Sequence, residues 1–184
     1  VSDKFYISQI TPTIIIDTNP TKVGQNATIT ITIPDNVTGN VTIHVANQTF
    51  TRKVVNHTVE LNVTGLKYGN HSIVVNYEGD VNYTKASNST NITVDKYSPE
   101  LNITIDKLVH MVGDTFTINI TNGTSVNVTI NGEEYGLNAD GTVNITTSDL
   151  DAGRYIVTAT IKESEMYFGN SKSLTFEVMK YNST

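Results

Sequence analysis

The sequence alternates between β-branched or aromatic residues and polar residues over most of its length. Segments such as Ala27–Ile33 and Tyr155–Ile161 show this period of two, which puts apolar side chains on one side of an extended chain and polar ones on the other. No stretch offers apolar residues at helical spacing over three turns. Turn-forming residues such as Glu78-Gly-Asp80 interrupt the pattern. The pattern therefore predicts half-buried antiparallel strands and an all-β sandwich.

An internal repeat indicates two domains. Val59–Val94 aligns with Val143–Val178 without a gap, at a constant offset of 84 residues. The length of 184 residues also fits two sandwich modules of about 90 residues each. The predicted domains are residues 1–96, including a linker at 1–10, and residues 97–184, including a linker at 180–184. The linker sequences resemble the joint between the repeats, so the chain is expected to begin and end at module joints.

About seven strands are expected in each module. The first set is 12–17, 27–33, 41–46, 48–51, 57–63, 71–77 and 90–95. The second set is 101–106, 115–120, 126–131, 133–137, 142–146, 155–161 and 173–179.

Composition excludes several classes of function. The net charge is −6, and no basic cluster occurs. Nucleic acids and anionic lipids bind through cationic side chains that neutralise phosphates, so neither is an expected partner. No apolar run is long enough for membrane insertion by this segment. Its first residues lack the basic, apolar and small-residue pattern of a leader, so the segment is expected either to have had none or to be an excised piece. Cysteine is absent, which excludes disulfides, thiol catalysis and Cys-ligated zinc.

Leu150-Asp-Ala-Gly-Arg-Tyr155 has the form of a tyrosine corner. In this feature, a Tyr at the start of a central strand returns its hydroxyl to the backbone just upstream. His71 holds the same place in the first repeat, where either a ring nitrogen replaces the phenol oxygen or the contact is lost. Gly153 and Gly69 precede these residues by two positions. All four residues are predicted to be structural and not catalytic.

With these residues, the chain resembles bacterial Ig-like repeats whose last third reads Leu-x-x-Gly-x-Tyr-x-Val-x-Ala-x-Tyr-x-Gly-Asp-x-Asn-Tyr. Leu66–Tyr83 keeps nearly all of this motif. Leu150–Ala159 keeps its first part, but Glu163–Tyr167 replaces the Gly-Asp-x-Asn-Tyr turn. The Thr- and Asn-rich strands are similar to repeats of adhesin-like surface proteins of methanogenic archaea. The resemblance implies two tandem immunoglobulin-like β-sandwich domains, which serve spacing, adhesion or display.

The densest motif is Asn-x-Ser/Thr, the acceptor sequon of N-glycosylation. It occurs sixteen times, whereas composition alone predicts roughly five. The sites are Asn26, Asn36, Asn40, Asn47, Asn56, Asn62, Asn70, Asn82, Asn88, Asn91, Asn102, Asn119, Asn122, Asn127, Asn144 and Asn182. Because Asn is a poor strand former, alternation alone favours Thr. We therefore predict N-glycosylation, partial at the close pair Asn88 and Asn91, and an extracellular, cell-surface location.

Metal binding and catalysis have little support in the sequence. Asp80 is a weak candidate Ca²⁺ ligand, because hard cations take several oxygen ligands, and an Asx turn is the alternative. Its candidate co-ligands are Glu78, Asp35 and Asp95. The 4 histidines are scattered, and no nucleophile elbow or phosphate loop occurs. Neither an enzyme nor a cofactor is therefore expected.

A second chemical candidate is an intramolecular isopeptide bond. Lys22 or Lys107 would join Asn91 or Asn170, near the last strand of a module. A solvated lysine is the ordinary alternative.

Three functions remain open. The favoured one is a spacer and adhesive module whose partners are neighbouring Ig-like modules and cell-surface glycans or proteins. The second is a filament or sheath in which identical subunits add a strand to one another. The third is a lectin-like or protein-binding fragment with aromatic anchors, for which Tyr135, Tyr167 and Phe168 are candidates.

Overall fold

The computed structural model describes residues 8–121 and 125–181. The chain divides into two compact units, Val1–Lys96 and Tyr97–Thr184. Each unit pairs a three-stranded sheet with a five-stranded sheet. Within the described residues, the single helical element is a short 3-10 turn at Thr147–Asp149. The predicted all-β class is confirmed.

The first unit contains strands β1 to β8. Their bounds are β1 Ile15–Thr18, β2 Thr21–Lys22, β3 Ala27–Thr32, β4 Asn40–Val45, β5 Gln48–Lys53, β6 Thr58–Val63, β7 Gly69–Tyr77 and β8 Ala86–Asp95. The sheet orders are β1-β3-β6 and β2-β8-β7-β4-β5. Strand β2 pairs with β8 in parallel, and the other strand pairs are antiparallel.

The second unit repeats this arrangement in strands β9 to β16. Their bounds are β9 Asn102–Ile105, β10 Val109–Met111, β11 Thr115–Thr121, β12 Val126–Ile130, β13 Glu133–Tyr135, β14 Thr142–Thr146, β15 Gly153–Ile161 and β16 Asn170–Met179. The sheet orders are β9-β11-β14 and β10-β16-β15-β12-β13. The hairpins β7–β8 and β15–β16 coincide residue for residue at the offset of 84 found in the sequence.

The core of the first unit is built from every second residue of its strands, the residues that point inward. Ile29 and Ile31 of β3 and Ile43 of β4 are completely buried, while Thr28, Thr30 and Thr32 between them are partly or fully exposed. β-Branched side chains pack well on a pleated surface, which is why the alternation in the sequence becomes two apposed sheets.

The core of the second unit is more aromatic and includes a histidine. His110 is 2% exposed, and its ring stacks on Phe116 with centroids 3.7 Å apart. Nε2 donates a hydrogen bond to Lys107 O at 2.9 Å, and Asp106 and Asp114 carboxylate oxygens lie 3.7 and 4.0 Å from the ring nitrogens. Burial is tolerated because the polar ring keeps a hydrogen-bond partner.

Two strands were missed in the sequence, β2 and β10. They contain two and three residues and lie at the edge of each five-stranded sheet, parallel to the last strand of their unit. Segments this short carry no readable alternation, since a period of two needs several residues to show itself. The last strands also begin earlier than expected, because hydrogen bonds to β7 and β15 extend the ladder into a polar segment.

Core packing in the first unit generates a stability prediction. Ile43→Ala should lower the free energy of unfolding by about 2–5 kcal/mol, because it leaves a cavity between the sheets. Thr51→Ala, at an exposed position of the neighbouring strand, should change it by less than about 0.5 kcal/mol. Guanidinium denaturation of the whole chain, followed by circular dichroism, measures both. Equal effects of the two changes would contradict the packing described here.

Candidate functional site

The sequon asparagines lie on the surface of both units. Fourteen of the sixteen fall within the described residues, and all fourteen are exposed. Asn122 and Asn182 lie outside the described residues. Glycans are bulky and hydrophilic and attach at surface positions, so exposure is the first structural requirement for the predicted modification.

Most sequons on strands point away from the core. All of these asparagines are exposed, and each except Asn70 adjoins a buried residue of the same strand; Asn70 stands opposite the exposed Thr93. They are Asn40, Asn62, Asn70, Asn91, Asn102, Asn119, Asn127 and Asn144. The outer faces of all four sheets therefore carry at least one sequon.

Three of these asparagines accept a hydrogen bond from a threonine on the adjacent strand. Thr28 Oγ1 donates to Asn62 Oδ1 at 3.0 Å, and Thr117 Oγ1 donates to Asn144 Oδ1 at 3.2 Å. Thr93 Oγ1 donates in the same way to Asn70 Oδ1 at 3.2 Å. Each pair stands in direct cross-strand register. The bonds use the carbonyl oxygen of the amide and leave the attachment atom, Nδ2, out of the contact.

Five further exposed sequons lie in loops and turns. They are Asn26, Asn36, Asn47, Asn56 and Asn82. Asn36 and Asn56 have φ angles of 68° and 48°, a left-handed conformation that Asn tolerates better than most residues. At these two positions the backbone supplies an independent reason for asparagine.

Asn88 is a sequon whose side chain has a structural role. It stands opposite Val75, a core residue, and so on the inner side of β8. Its Nδ2 donates to Ile14 O at 2.7 Å, a bond from the five-stranded sheet to the segment before β1. In the second unit Asn170, which is not a sequon, donates to Pro99 O at 2.9 Å. The glycan attachment atom of Asn88 is therefore engaged in holding the two sheets together.

Asp80 joins two loops at one end of the first unit. Its Oδ2 accepts from Thr38 N and Thr38 Oγ1, both at 2.9 Å, and its Oδ1 accepts from the backbone N–H groups of Asn82 and Tyr83 at 2.8 Å. A Cβ on the preceding Gly79 would lie 2.9 Å from Tyr83 O, so the turn requires glycine there. We call these contacts the Asp80 clasp. Thr38, its main donor, was not singled out in the sequence.

The clasp shifts the acidity of two side chains. Hydrogen bonds from Thr38, foremost that of its backbone N–H, hold the pKa of Asp80 well below its usual value. Tyr77 donates its hydroxyl to Thr38 O at 2.9 Å. Burial, together with the nearby Asp80, raises the pKa of Tyr77 to about 12.

The predicted calcium site does not assemble around Asp80. Both carboxylate oxygens already accept hydrogen bonds from donors. Asp35 pairs with His57, and Asp95 accepts from the N–H of Lys96. Within residues 8–121 and 125–181, no group of three or more acidic or histidine side chains could hold a metal ion. Asp80 forms the Asx-type turn that was the alternative.

The second unit builds the same turn with a different residue. Ser164 occupies the position of Asp80, and its N–H donates to Tyr167 O at 3.0 Å. Its Oγ accepts from Tyr167 N at 3.1 Å. A hydroxyl therefore replaces the carboxylate in holding the turn, although the surrounding motif is lost.

Both units form the corner contact upstream of their central strand. Tyr155 donates its hydroxyl to Asp151 O at 2.9 Å. His71 Nε2 donates to Lys67 O at 2.7 Å, so the ring nitrogen replaces the phenol oxygen four residues from its acceptor. Gly69 has a φ of 129°, which restricts that position to glycine, whereas a Cβ on Gly153 would meet no atom within 4 Å.

Two of the four isopeptide candidates are engaged in other contacts. Lys22 Nζ donates to Lys96 O at 3.1 Å, and Lys107 is exposed. Asn91 is on the outer face of β8, opposite Ser72, and the amide of Asn170 is bonded to Pro99 O. These hydrogen bonds occupy the Lys22 ammonium group and the Asn170 amide, two of the four groups named for the reaction.

The aromatic candidates do not gather on one exposed surface. Tyr135 is half-buried against the core of the second unit, and burial raises its pKa. Tyr167 lies in the turn after β15 and contacts Tyr97, with ring centroids 5.6 Å apart. Phe168 donates its backbone N–H to Tyr97 O at 2.9 Å.

In the described part of the chain, no helix is long and apolar enough to span a bilayer.

Comparison with known proteins agrees with this geometry. Residues 14–95 match the family described as Bacterial Ig-like domain (group 3). Both units have an immunoglobulin-like fold. The solved structure of the titin domains Z1Z2 in complex with telethonin has a TM-score of 0.53 and 15% identity, covering 96% of this chain and all of that one. The predicted pair of immunoglobulin-like sandwiches is confirmed.

A second solved structure is of fibronectin(III)-like modules of CbhA from Clostridium thermocellum. It has a TM-score of 0.38 and 13% identity, and covers 91% of this chain and 95% of that one. No curated protein matches the chain. The resemblance to archaeal adhesin-like proteins stays a prediction.

The Asp80 clasp generates a pH prediction. The folded pKa of Asp80 is below the unfolded value of about 4. Its stabilisation is therefore complete above the unfolded pKa and is lost as the pH falls through the lower folded pKa. Asp80→Asn should unfold more easily than the parent at neutral pH, and this difference should shrink with acidification. Urea unfolding at neutral pH and at a pH of about 2 measures it.

Glu78→Gln is the matched control for this prediction, because it removes a neighbouring exposed charge outside the clasp. If the free energies of unfolding of Asp80→Asn and the parent differed by the same amount at both pH values, the carboxylate would not act through its ionised form.

The corner contacts generate a paired prediction. Tyr155→Phe and His71→Phe should each cost about 1 kcal/mol of unfolding free energy, because each removes one hydrogen bond. His71→Tyr should restore most of this loss, since a phenol already fills the equivalent place in the second unit. Thermal and urea unfolding report both. If His71→Tyr were as unstable as His71→Phe, the two corners would not be equivalent.

Proposed function

We propose that this segment is a non-catalytic structural and adhesive module of a repetitive, N-glycosylated, extracellular cell-surface protein. Ig-like domains are typical of extracellular and structural modules, and Ig-like and fibronectin-like families are generally non-catalytic. The observation that carries the proposal is the outward placement of thirteen described sequons, on strands of both units and in loops of the first. The partners that fit this role are neighbouring Ig-like modules and surface glycans or proteins.

The density of polar amides and hydroxyls supports this function. Charged residues make up only 16% of the chain, so the outer faces are hydrated by Asn, Thr and Ser and, once modified, by sugar. A coat of glycans shields strand edges and loops from proteases and from unwanted pairing. Such a surface suits a module that spaces or displays a neighbouring binding domain.

Strand addition between identical subunits has less support, because one edge strand of each sheet carries features that oppose it. Edge strand β6 has Glu60 and the sequon Asn62 in its middle, and edge strand β14 has the sequon Asn144. Edge strands β5 and β13 carry Arg52 with Lys53 and a pair of glutamates, respectively. Charges on edges discourage pairing with another chain, so we do not favour this mode of assembly.

The glycosylation proposal predicts different occupancy at neighbouring sequons. In protein purified from its native source, glycopeptide mass spectrometry should find sugar at Asn91 and none at Asn88, because the Nδ2 of Asn88 is bonded to Ile14 O. Unmodified peptides at all fourteen exposed sites would contradict the proposal. Sugar at Asn88 would contradict the structural role given to that side chain.

Unglycosylated protein supplies the matched control. Asn88→Ala should lower the free energy of unfolding by about 1 kcal/mol through loss of the bond between sheets. Asn91→Ala should change it by less than about 0.5 kcal/mol. The two variants distinguish Asn88, whose side chain stabilises the fold, from Asn91, whose proposed role is to carry a glycan.

A further inference from the structure

The five-stranded sheet of the second unit has an exposed apolar area on its outer face. Val109 of β10, Ile156 of β15 and Met179 of β16 are 46%, 50% and 47% exposed. Each of them adjoins a buried or core-packed residue of its own strand, so all three point outward together. Strand β16 lies between β10 and β15, which places the three side chains on the same face of the sheet.

Two opposite charges stand in the middle of this area. Glu177 of β16 is in register with Val109 on one side and with Arg154 of β15 on the other. Among the described residues, neither Arg154 nor Glu177 takes part in an ion pair within 4.0 Å. We call Val109, Arg154, Ile156, Glu177 and Met179 the β16 face.

The first unit is an internal control for this surface. At the offset of 84, Arg154 and Ile156 correspond to Asn70 and Ser72, which form a sequon, and Met179 corresponds to Asp95. Thr175, beside Ile156 in register, corresponds to the sequon Asn91. At these four positions the first unit has two amides, a hydroxyl and a carboxylate, whereas the second has Arg154, Thr175 and the apolar side chains of Ile156 and Met179.

Exposed apolar side chains on this face, where the first unit has a sequon, indicate a contact surface. Contiguous apolar patches on soluble domains mark interaction sites, and Met and Arg are enriched at the centres of interfaces. The arrangement of charge selects the partner. A twofold axis passing between Arg154 and Glu177 would set each against the opposite charge of an identical face, which is the self-complementarity that an isologous contact needs.

We propose that the β16 face binds the β16 face of a second copy of this chain, forming a twofold dimer through the second unit. This contact goes beyond the proposed function and does not depend on glycosylation, since the sequons serve only to mark the corresponding surface of the first unit. It joins copies face to face and leaves the strand edges unpaired.

Charge reversal tests the proposal with unglycosylated protein of the full chain. The oligomeric state is measured by sedimentation equilibrium. The buffer has an ionic strength of about 0.15 M, because salt screens the long-range repulsion between the acidic second units. The parent should show a concentration-dependent dimer. Arg154→Glu and Glu177→Arg should each raise the dimer Kd by tenfold or more, because each sets like charges against one another.

Mixing these two variants supplies the decisive measurement. In a mixed dimer each reversed charge again faces an opposite one, so equal amounts of the two proteins should associate about as well as the parent. Misfolding of either variant cannot produce this recovery. Dimers that the variants leave unchanged, or two weakened variants that do not recover on mixing, would overturn the proposed geometry.

Apolar substitutions provide a second test with a matched control. Ile156→Ser combined with Met179→Asp installs the residues of the first unit, and should raise the dimer Kd by tenfold or more. Val81→Ser removes an apolar side chain that is 83% exposed in the first unit and should leave the Kd unchanged. A parent protein that stays monomeric at the highest soluble concentration would overturn the proposal.

Discussion

Burial of β-branched side chains between two sheets is the constraint on which the rest of this structure depends. Ile29 from one sheet and Ile43 and Ile73 from the other are completely buried, and each such burial contributes about 1.5–3 kcal/mol. Because strand residues alternate in direction, every inward isoleucine or valine fixes an outward neighbour in solvent. The core therefore fixes which residues of each strand face solvent, but it does not fix which polar residues these are. Most strand sequons lie among these solvent-facing residues.

The two units preserve contacts more closely than they preserve residues. The turn after the central strand is held by the carboxylate of Asp80 in one unit and the hydroxyl of Ser164 in the other. The corner is closed by His71 or by Tyr155. Backbone donors and acceptors at such places must find a partner, and any side chain of suitable reach and polarity can serve. Equivalence between the repeats is thus an equivalence of hydrogen bonds.

The outer surfaces have diverged where the core does not constrain them. The first unit has seven basic and seven acidic residues, whereas the second has five basic and eleven acidic ones, so the net charge of −6 belongs to the second unit. The sequons of the β7–β8 hairpin have no counterpart on β15–β16. One unit presents a hydrophilic coat on this face, and the other presents the apolar β16 face. Duplication of a stable sandwich gives two surfaces that can take different roles.

The sequence by itself determined the all-β class, the repeat with its offset of 84 residues and the placement of most strands, because alternation and turn residues act locally. It also indicated that the sequons would be exposed, since a polar residue between two inward ones must face water. Only the tertiary structure separated Asn88 from Asn91, because the role of Asn88 depends on Ile14 O, 74 residues away in the chain. Only the tertiary structure showed that Thr38 donates to Asp80. It also revealed the short strands β2 and β10, which form by pairing with a strand that is distant in the sequence. Local pattern gives the direction in which a side chain points, and the fold decides what that side chain meets.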